Sequence, residues 1–174
     1  VKPGESALIE GLLVTATFDD GFFTVLDPAS DAWQGPEHAG LYVYNPGEVQ
    51  PPVASRINLA GNVDNYFGQV QVGASDVQVL AGDQQLPAPI VVTGEQALYA
   101  AYEAQLITVE WPELTAELAT GMDENEPVEN EFVVTGGLSV DDYLFLISPQ
   151  PKLGQTFKSI TGVTRYSWGR NKLL

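Results

Sequence analysis

Apolar and polar residues alternate along much of this chain with a period of two, the pattern of a strand whose successive side chains point to opposite faces. Leu8 to Phe18 reads as a strand of apolar and β-branched residues. Asp19-Asp20-Gly21 supplies a tight turn in which glycine accepts positive φ, and Phe22 to Asp27 returns as the second arm of a hairpin. Pro28 to Ala39 is a polar loop holding Trp33, Pro36 and His38, after which Gly40 to Asn45 alternates like a half-buried strand until Pro46 to Pro52 breaks it. Ser55 to Val63 and Gln69 to Val72 form a further hairpin, and Asp76 to Leu80 extends the sheet.

Leu86-Pro-Ala-Pro89 is a stiff connector, since each proline fixes φ and removes a donor. The pattern Thr93-Gly-Glu-Gln96 is a capping box, and it predicts one short helix over Glu95 to Tyr102 that spaces two β units. Ala104 to Trp111 opens a second strand-rich stretch, interrupted by Pro112 as at an edge strand or bulge. The acidic loop Gly121 to Asn130 carries Asp123, Glu124, Glu126 and Glu129. Strands over Glu131 to Thr135 and Leu138 to Ile147 follow, and a hairpin over Ser159 to Leu173 closes the chain.

That last hairpin echoes the one over Ile57 to Val72. Gly61 and Gly68 stand seven apart, as Gly162 and Gly169 do, and each pair brackets a strand leading into a polar and aromatic turn. An internal repeat of this kind sets the reading of the whole chain. The fold class expected is therefore all-β: two tandem small β-barrels joined by a short helix. Residues 1–85 form the first barrel, 86–102 the linker and 103–174 the second barrel.

Composition sharpens this picture. At 174 residues and 44% hydrophobic, the chain can bury a core. The absence of cysteine excludes disulfides, thiolate metal sites and a cysteine nucleophile. No run of about 18 apolar residues suggests a membrane span. A start at Val1 is expected of a processed or excised piece of a longer exported protein. Seven basic residues against 23 acidic ones give a net charge of -16, which repels phosphate backbones at long range. Residues 1–149 carry Lys2 and Arg56 against every acid, a net of -21, whereas residues 150–174 carry Lys152, Lys158, Arg165, Arg170 and Lys172 with no acid, a net of +5. A negative body with a positive end is expected.

With both copies laid out, the pattern resembles tandem oligonucleotide/oligosaccharide-binding (OB-fold) domains of bacterial secreted and cell-surface proteins. In the first copy the resemblance rests on Val-Thr-Ala-Thr-Phe-Asp-Asp-Gly-Phe-Phe-Thr-Val-Leu-Asp-Pro (14–28) and Gly-Leu-Tyr-Val-Tyr (40–44). In the second it rests on Tyr-Glu-Ala-Gln-Leu-Ile-Thr-Val-Glu (102–110), Val-Thr-Gly-Gly-Leu-Ser-Val-Asp-Asp-Tyr-Leu (134–144) and Ile-Thr-Gly-Val-Thr-Arg-Tyr-Ser-Trp-Gly-Arg-Asn-Lys-Leu (160–173). These motifs are turn glycines and alternating apolar residues, so they speak to fold more than to function. The resemblance implies an accessory module of an exported nuclease or of an envelope protein, extracellular or at the cell surface. Its barrel face and loops would hold single-stranded nucleic acid or sugar.

For catalysis the chain offers one histidine, His38, in a loop, and no G-x-S-x-G elbow, P-loop or G-x-G-x-x-G. A non-enzymatic module is expected. Calcium, which takes several oxygen ligands, has candidates in Asp19-Asp20 and Asp141-Asp142, although turn chemistry explains the same residues. Arg165, Tyr166, Trp168, Arg170 and Lys172 form the candidate contact surface, open to three readings. They can stack and neutralise single-stranded nucleic acid. They can fill the barrel and pair with local carboxylates. They can dock on the acidic surface of a protein partner or of another copy, head to tail. The protein contact is favoured, with nucleic-acid binding as the alternative and sugar recognition through Trp33, Tyr42 and Tyr44 as a third possibility.

Overall fold

The computed structural model describes residues 2–120, 127–128, 130–167 and 169–174; most of the acidic loop at 121–129 and Trp168 lie outside the described residues. The first sheet is built from β1 (Ser6–Phe18), β2 (Gly21–Leu26), β3 (Gly40–Tyr44), β4 (Arg56–Tyr66) and β5 (Gln69–Ala81). It closes on itself in the order β1-β2-β3-β5-β4, with β4 pairing back to β1. Every pair is antiparallel except β3 with β5, where Tyr42, Val43 and Tyr44 face Gln71, Val72 and Gly73 in parallel. β1 changes register twice, between Val14 and Ala16 and between Ile9 and Leu12. Such bulges add twist and let a sheet bend into a ring. Inside it Leu12, Val14, Phe22, Val43, Ile57, Leu59 and Val72 form the core.

The second sheet comprises β6 (Ile90–Val92), β7 (Leu106–Glu110), β8 (Leu114–Ala116), β11 (Phe132–Val134), β12 (Leu138–Val140), β13 (Ser159–Ser167) and β14 (Arg170–Leu173). Two further short strands, β9 (Ala119–Thr120) and β10 (Pro127–Val128), pair with each other. The order is β6-β7-β13-β14-β12-β11-β8, with β12 parallel to β14. β7 and β8 are one run of chain broken at Trp111-Pro112, where Trp111 takes φ of 51°. Taken as a single first strand, they give the second sheet the same neighbour sequence as the first, parallel pair included. Its core holds Ile107, Val109, Leu114, Phe132, Val134, Leu138, Val140 and Leu173.

The repeated glycines sit at matching places in the two sheets for one steric reason. A Cβ on Gly61 would lie 2.3 Å from the Gly73 carbonyl oxygen, and one on Gly162 would lie 2.1 Å from that of Leu174. Gly68 and Gly169, at the hairpin turns, take φ of 98° and 83°. Gly21 differs from expectation: it has no positive φ, and glycine is required there because a Cβ would lie 2.3 Å from the Val43 carbonyl oxygen.

Two elements depart from the expected plan. Instead of one helix over Glu95 to Tyr102, there are two single 3-10 turns, Gln96–Leu98 and Ala100–Tyr102, split by Tyr99 in an extended conformation. The capping box does form, with Gln96 N–H donating to Thr93 Oγ1 at 3.1 Å and Thr93 N–H donating to Gln96 Oε1 at 2.9 Å. So short a run cannot offset helix nucleation, and the Asn171 side-chain amide takes the Leu98 carbonyl at 2.9 Å. The connector is also no free spacer, since β6 pairs with β7 and Ala97 is buried in the second core. The strand expected over Leu138 to Ile147 stops at Val140 because Asp141 Oδ1 accepts the Tyr143 N–H at 3.1 Å, an Asx turn that redirects the chain.

Since a Cβ at Gly61 or Gly162 would first meet a backbone oxygen, Gly61→Ala and Gly162→Ala are each expected to lower stability by about 1–3 kcal/mol, the cost of overpacking. Urea denaturation of the two variants checks this, and parent-like midpoints would contradict the close approach.

Candidate functional site

The two sheets meet along the outer side of the first. Phe22, Val43 and Val72 point into the ring, so by alternation Phe23, Tyr42 and Gln71 point outward. They are nonetheless buried; Val163 of β13 and Ala104, just before β7, pack on Phe23 and Tyr42, with Phe18, Leu106, Leu144 and Leu174 around them. Backbone contacts fix this junction. His38 N–H donates to the Ala101 carbonyl at 2.7 Å, the Gln105 side chain donates to the Pro36 carbonyl at 2.5 Å, and a Cβ on Gly40 would lie 2.5 Å from the Glu103 carbonyl oxygen.

Arg165 projects from β13 into the junction. Its guanidinium lies 5.1 Å from the Tyr42 ring, 5.6 Å from Phe18 and 5.0 Å from Tyr143. Phe18 and Tyr42 stack nearly parallel, and Tyr143 meets Phe18 edge-on at 5.1 Å. Guanidinium over aromatic faces is favourable and more so when desolvated. Burial first and the Asp20 carboxylate second push the Tyr42 phenol up, while Arg165 pulls it back.

A cleft of about 380 Å³ opens beside this cluster. It is lined by Arg165 from β13 and, from the first sheet and its turns, by Asp20, Tyr42, Tyr44, Asp64, Tyr66, Gln71 and Gly73. Tyr66 begins the β4–β5 turn, where Phe67 and Gly68 both have positive φ and Asn65 Oδ1 accepts the Gly68 N–H at 2.9 Å. The first position of such a turn favours Asn, Asp or Gly. Here it holds Phe67, which is 84% exposed and whose ring meets Tyr66 edge-on at 4.8 Å.

The residues expected to form one cationic surface are dispersed. Lys172 is only 3% exposed and donates to Glu131 Oε2 at 2.5 Å and to Asp141 Oδ2 at 3.2 Å; Arg170 donates to Glu131 Oε1 at 2.7 Å, and Glu131 is fully buried. Tyr166 packs against Gly68, where a Cβ would lie 2.5 Å from its ring. Trp168 lies outside the described residues. In the first unit Arg56 is paired with Asp27, whose carboxyl is held low by the Ala29 amide and by that guanidinium. An open positive face is thus not what these residues make, because the basic end folds back onto carboxylates and rings contributed by earlier strands. Only Lys152 and Lys158 of its five cations are exposed.

The remaining candidates also separate. Asp141 is committed to Lys172 and its own turn. Among the described residues no three His, Asp or Glu side chains gather as a metal site, and Asp19-Asp20 and Asp141-Asp142 do not come together as one. His38 is exposed with φ of 59° and bonds through its backbone. Trp33 lines a different crevice of about 250 Å³, with Pro36 and Pro87, while Tyr42 and Tyr44 share the cleft beside Arg165. Sequence reasoning missed Asp64, Tyr66, Gln71 and the distance Arg165 travels to the first sheet. The Tyr-Phe-Gly turn was the one available signal.

Comparison with known families, with curated proteins and with solved structures finds no match. Among the described residues no helix is long and apolar enough to cross a membrane.

Two outcomes are expected of this arrangement. Glu131→Ala leaves Arg170 and the buried Lys172 without their shared partner and should cost about 3–5 kcal/mol, read by thermal and urea unfolding. Glu103 lies at the junction with a buried Oε1 lacking a partner among the described residues, and burial pushes its carboxyl up to about 7, with the Val70 amide opposing. A carboxyl raised in the folded state contributes stability below its ordinary pKa and loses it as pH rises through about 7. The gap in melting temperature between Glu103→Gln and the parent should therefore widen in favour of the variant from about pH 5 to about pH 8. A constant gap would overturn that assignment.

Proposed function

We propose that this chain is a non-enzymatic binding module of an exported or cell-surface protein, built from two OB-like units that share one recognition cleft at their junction. The observation that carries the reading is the pairing of an exposed Tyr66-Phe67 turn with a cleft containing Arg165 from the other unit. The neighbour order with its parallel third and fifth strands supports the OB-like description of the first unit, and the same order across the Trp111-Pro112 break supports it for the second. In that fold the outer side of the second and third strands is the usual ligand platform. Here Val163 and Ala104 roof much of it, so contacts with other molecules fall to the cleft and its turn residues.

Single-stranded nucleic acid fits poorly. Asp20 and Asp64 flank the single cation of the cleft, Arg170 and Lys172 are spent on Glu131, and the chain carries a net charge of -16. A salt-dependent head-to-tail self-contact retains, of the basic end, only the exposed Lys152 and Lys158. Binding of three probe classes tests the module reading: an uncharged hexasaccharide, a lysine-alanine peptide of about ten residues and an oligothymidylate of about ten nucleotides. At least one class should bind at about 1 mM or tighter, and the double variant Tyr66→Ala, Phe67→Ala should weaken it by about tenfold or more. If every class fails, or binding ignores the variant, the reading falls.

A further inference from the structure

We propose that Lys172 and Asp141 condense, once the second sheet has folded, into an amide bond between Lys172 Nζ and Asp141 Cγ, with Glu131 carrying the proton. This goes beyond the module reading and does not depend on the cleft. The three side chains meet because their strands are neighbours. Continuing the β11–β12 register, in which Phe132 faces Val140, by one residue sets Glu131 opposite Asp141. On the other side of β12, Lys172 pairs with Ser139 in the parallel ladder, and the Asp141 N–H donates to the Leu173 carbonyl at 2.8 Å. Side chains two apart on a strand share a face, so Asp141 joins Ser139 on the side of Lys172. Lys172 Nζ stands 3.2 Å from Asp141 Oδ2 and also donates to Glu131 Oε2, in a site where Lys172 is 3% exposed and Glu131 is fully buried.

An amine held against a carboxyl group where water is kept out is a reactant pair as well as an ion pair. Arg170, Lys172, Glu131 and Asp141 gather here, and holding their charges away from water is unfavourable. Joining Lys172 to Asp141 removes one charge of each sign and leaves Arg170 and Glu131 as a pair at 2.7 Å. The step balances within the chain. Nζ passes one proton to Asp141 Oδ2 across their contact, which leaves a neutral amine beside a neutral carboxyl group. The nitrogen lone pair attacks Cγ while a second Nζ proton moves to Glu131 Oε2. Arg170 occupies Glu131 Oε1, so Oε2 is the oxygen that faces Nζ. Negative charge developing on Asp141 Oδ1 is met by the Tyr143 N–H, which already donates to that oxygen at 3.1 Å. Glu131 then returns its proton to Oδ2, the Cγ–Oδ2 bond breaks, and Oδ2 departs as one water while Oδ1 remains as the amide oxygen. Holding the two groups in contact makes the reaction unimolecular. Each molecule reacts once, so the chain is still no enzyme.

The bond would tie β14, the last strand, to β12 in a chain that has no cysteine and hence no disulfide. Like a disulfide it would constrain the unfolded chain, but reductants would not open it. Intact-mass measurement of the full chain, followed by proteolytic mapping, tests this. The folded parent should weigh one water less than its sequence, and mapping should yield a branched peptide that joins Asp141 to Lys172. Lys172→Arg and Asp141→Ala should each keep the full mass of their own sequences. In a time course after cell-free synthesis, Glu131→Gln should form the bond at least about a hundredfold more slowly than the parent, with circular dichroism confirming that the variant folds. A folded parent of full mass would overturn the proposal whether or not any variant folds. So would loss of the water at another place, such as a cyclic imide at Asp20-Gly21. A folded Glu131→Gln chain that reacts at the parent's rate would overturn the role of Glu131.

Discussion

The docking of Arg165 among Phe18, Tyr42 and Tyr143 is the interaction on which the architecture depends. Each sheet has its own core, so either can satisfy its apolar interior alone. What neither can satisfy alone is the outer side of β2, β3 and β5, where Phe23 and Tyr42 would stand exposed without Val163 and Ala104 against them. Arginine suits the edge of that contact better than lysine, because a planar, weakly hydrated cation can lie over rings and still present donors at its rim. The same side chain thus closes the junction and forms part of the cleft.

A second constraint is the shortage of cations. With seven against 23 acids, each basic residue that folds inward removes positive charge from the surface. Arg56 goes to Asp27, Arg170 and Lys172 go to Glu131, and Arg165 goes to the aromatic cluster. The basic C-terminal segment is basic in sequence and largely neutralised in space, which leaves a predominantly negative exterior. A buried carboxylate shared by two cations is weak evidence of added stability, since desolvation offsets much of the attraction. It does tie the residue before β11 to β14 across the intervening β12.

Much of the sheet plan was legible because its determinants are local. Alternation marked β1 to β5 closely, and the spaced glycines marked both final hairpins, since a missing Cβ opposite a backbone oxygen is required wherever that hairpin recurs. The lost helix and shortened strand turned on competitors outside local propensity: the Asn171 amide taking the Leu98 carbonyl, and the Asp141 side chain capturing the Tyr143 amide. Which carboxylates the basic end would pair with was hidden for a related reason. Glu131 precedes Lys172 by 41 residues, and nothing in the spacing shows that β12 brings β11 and β14 within reach. The cleft was half visible, through Tyr42 and Tyr44, while Asp64, Gln71 and Arg165 enter it only by parallel pairing and docking of the sheets.

The two sheets share one strand order and put its outer side to different uses. In the first, the outer side of β2, β3 and β5 is apolar and aromatic and is covered by the other unit. In the second, the matching positions, opposite Phe132 and Leu173, carry Glu131 and Lys172, whose charges cancel under cover. Neither platform is therefore free in the way a lone unit's would be. With the outer side of the first sheet covered and that of the second neutralised, the cleft of about 380 Å³ and the crevice beside Trp33 open along the junction of the two sheets. Tyr66, at the start of the β4–β5 turn, and Arg165, on the strand leading to the last hairpin turn, both line the cleft of about 380 Å³.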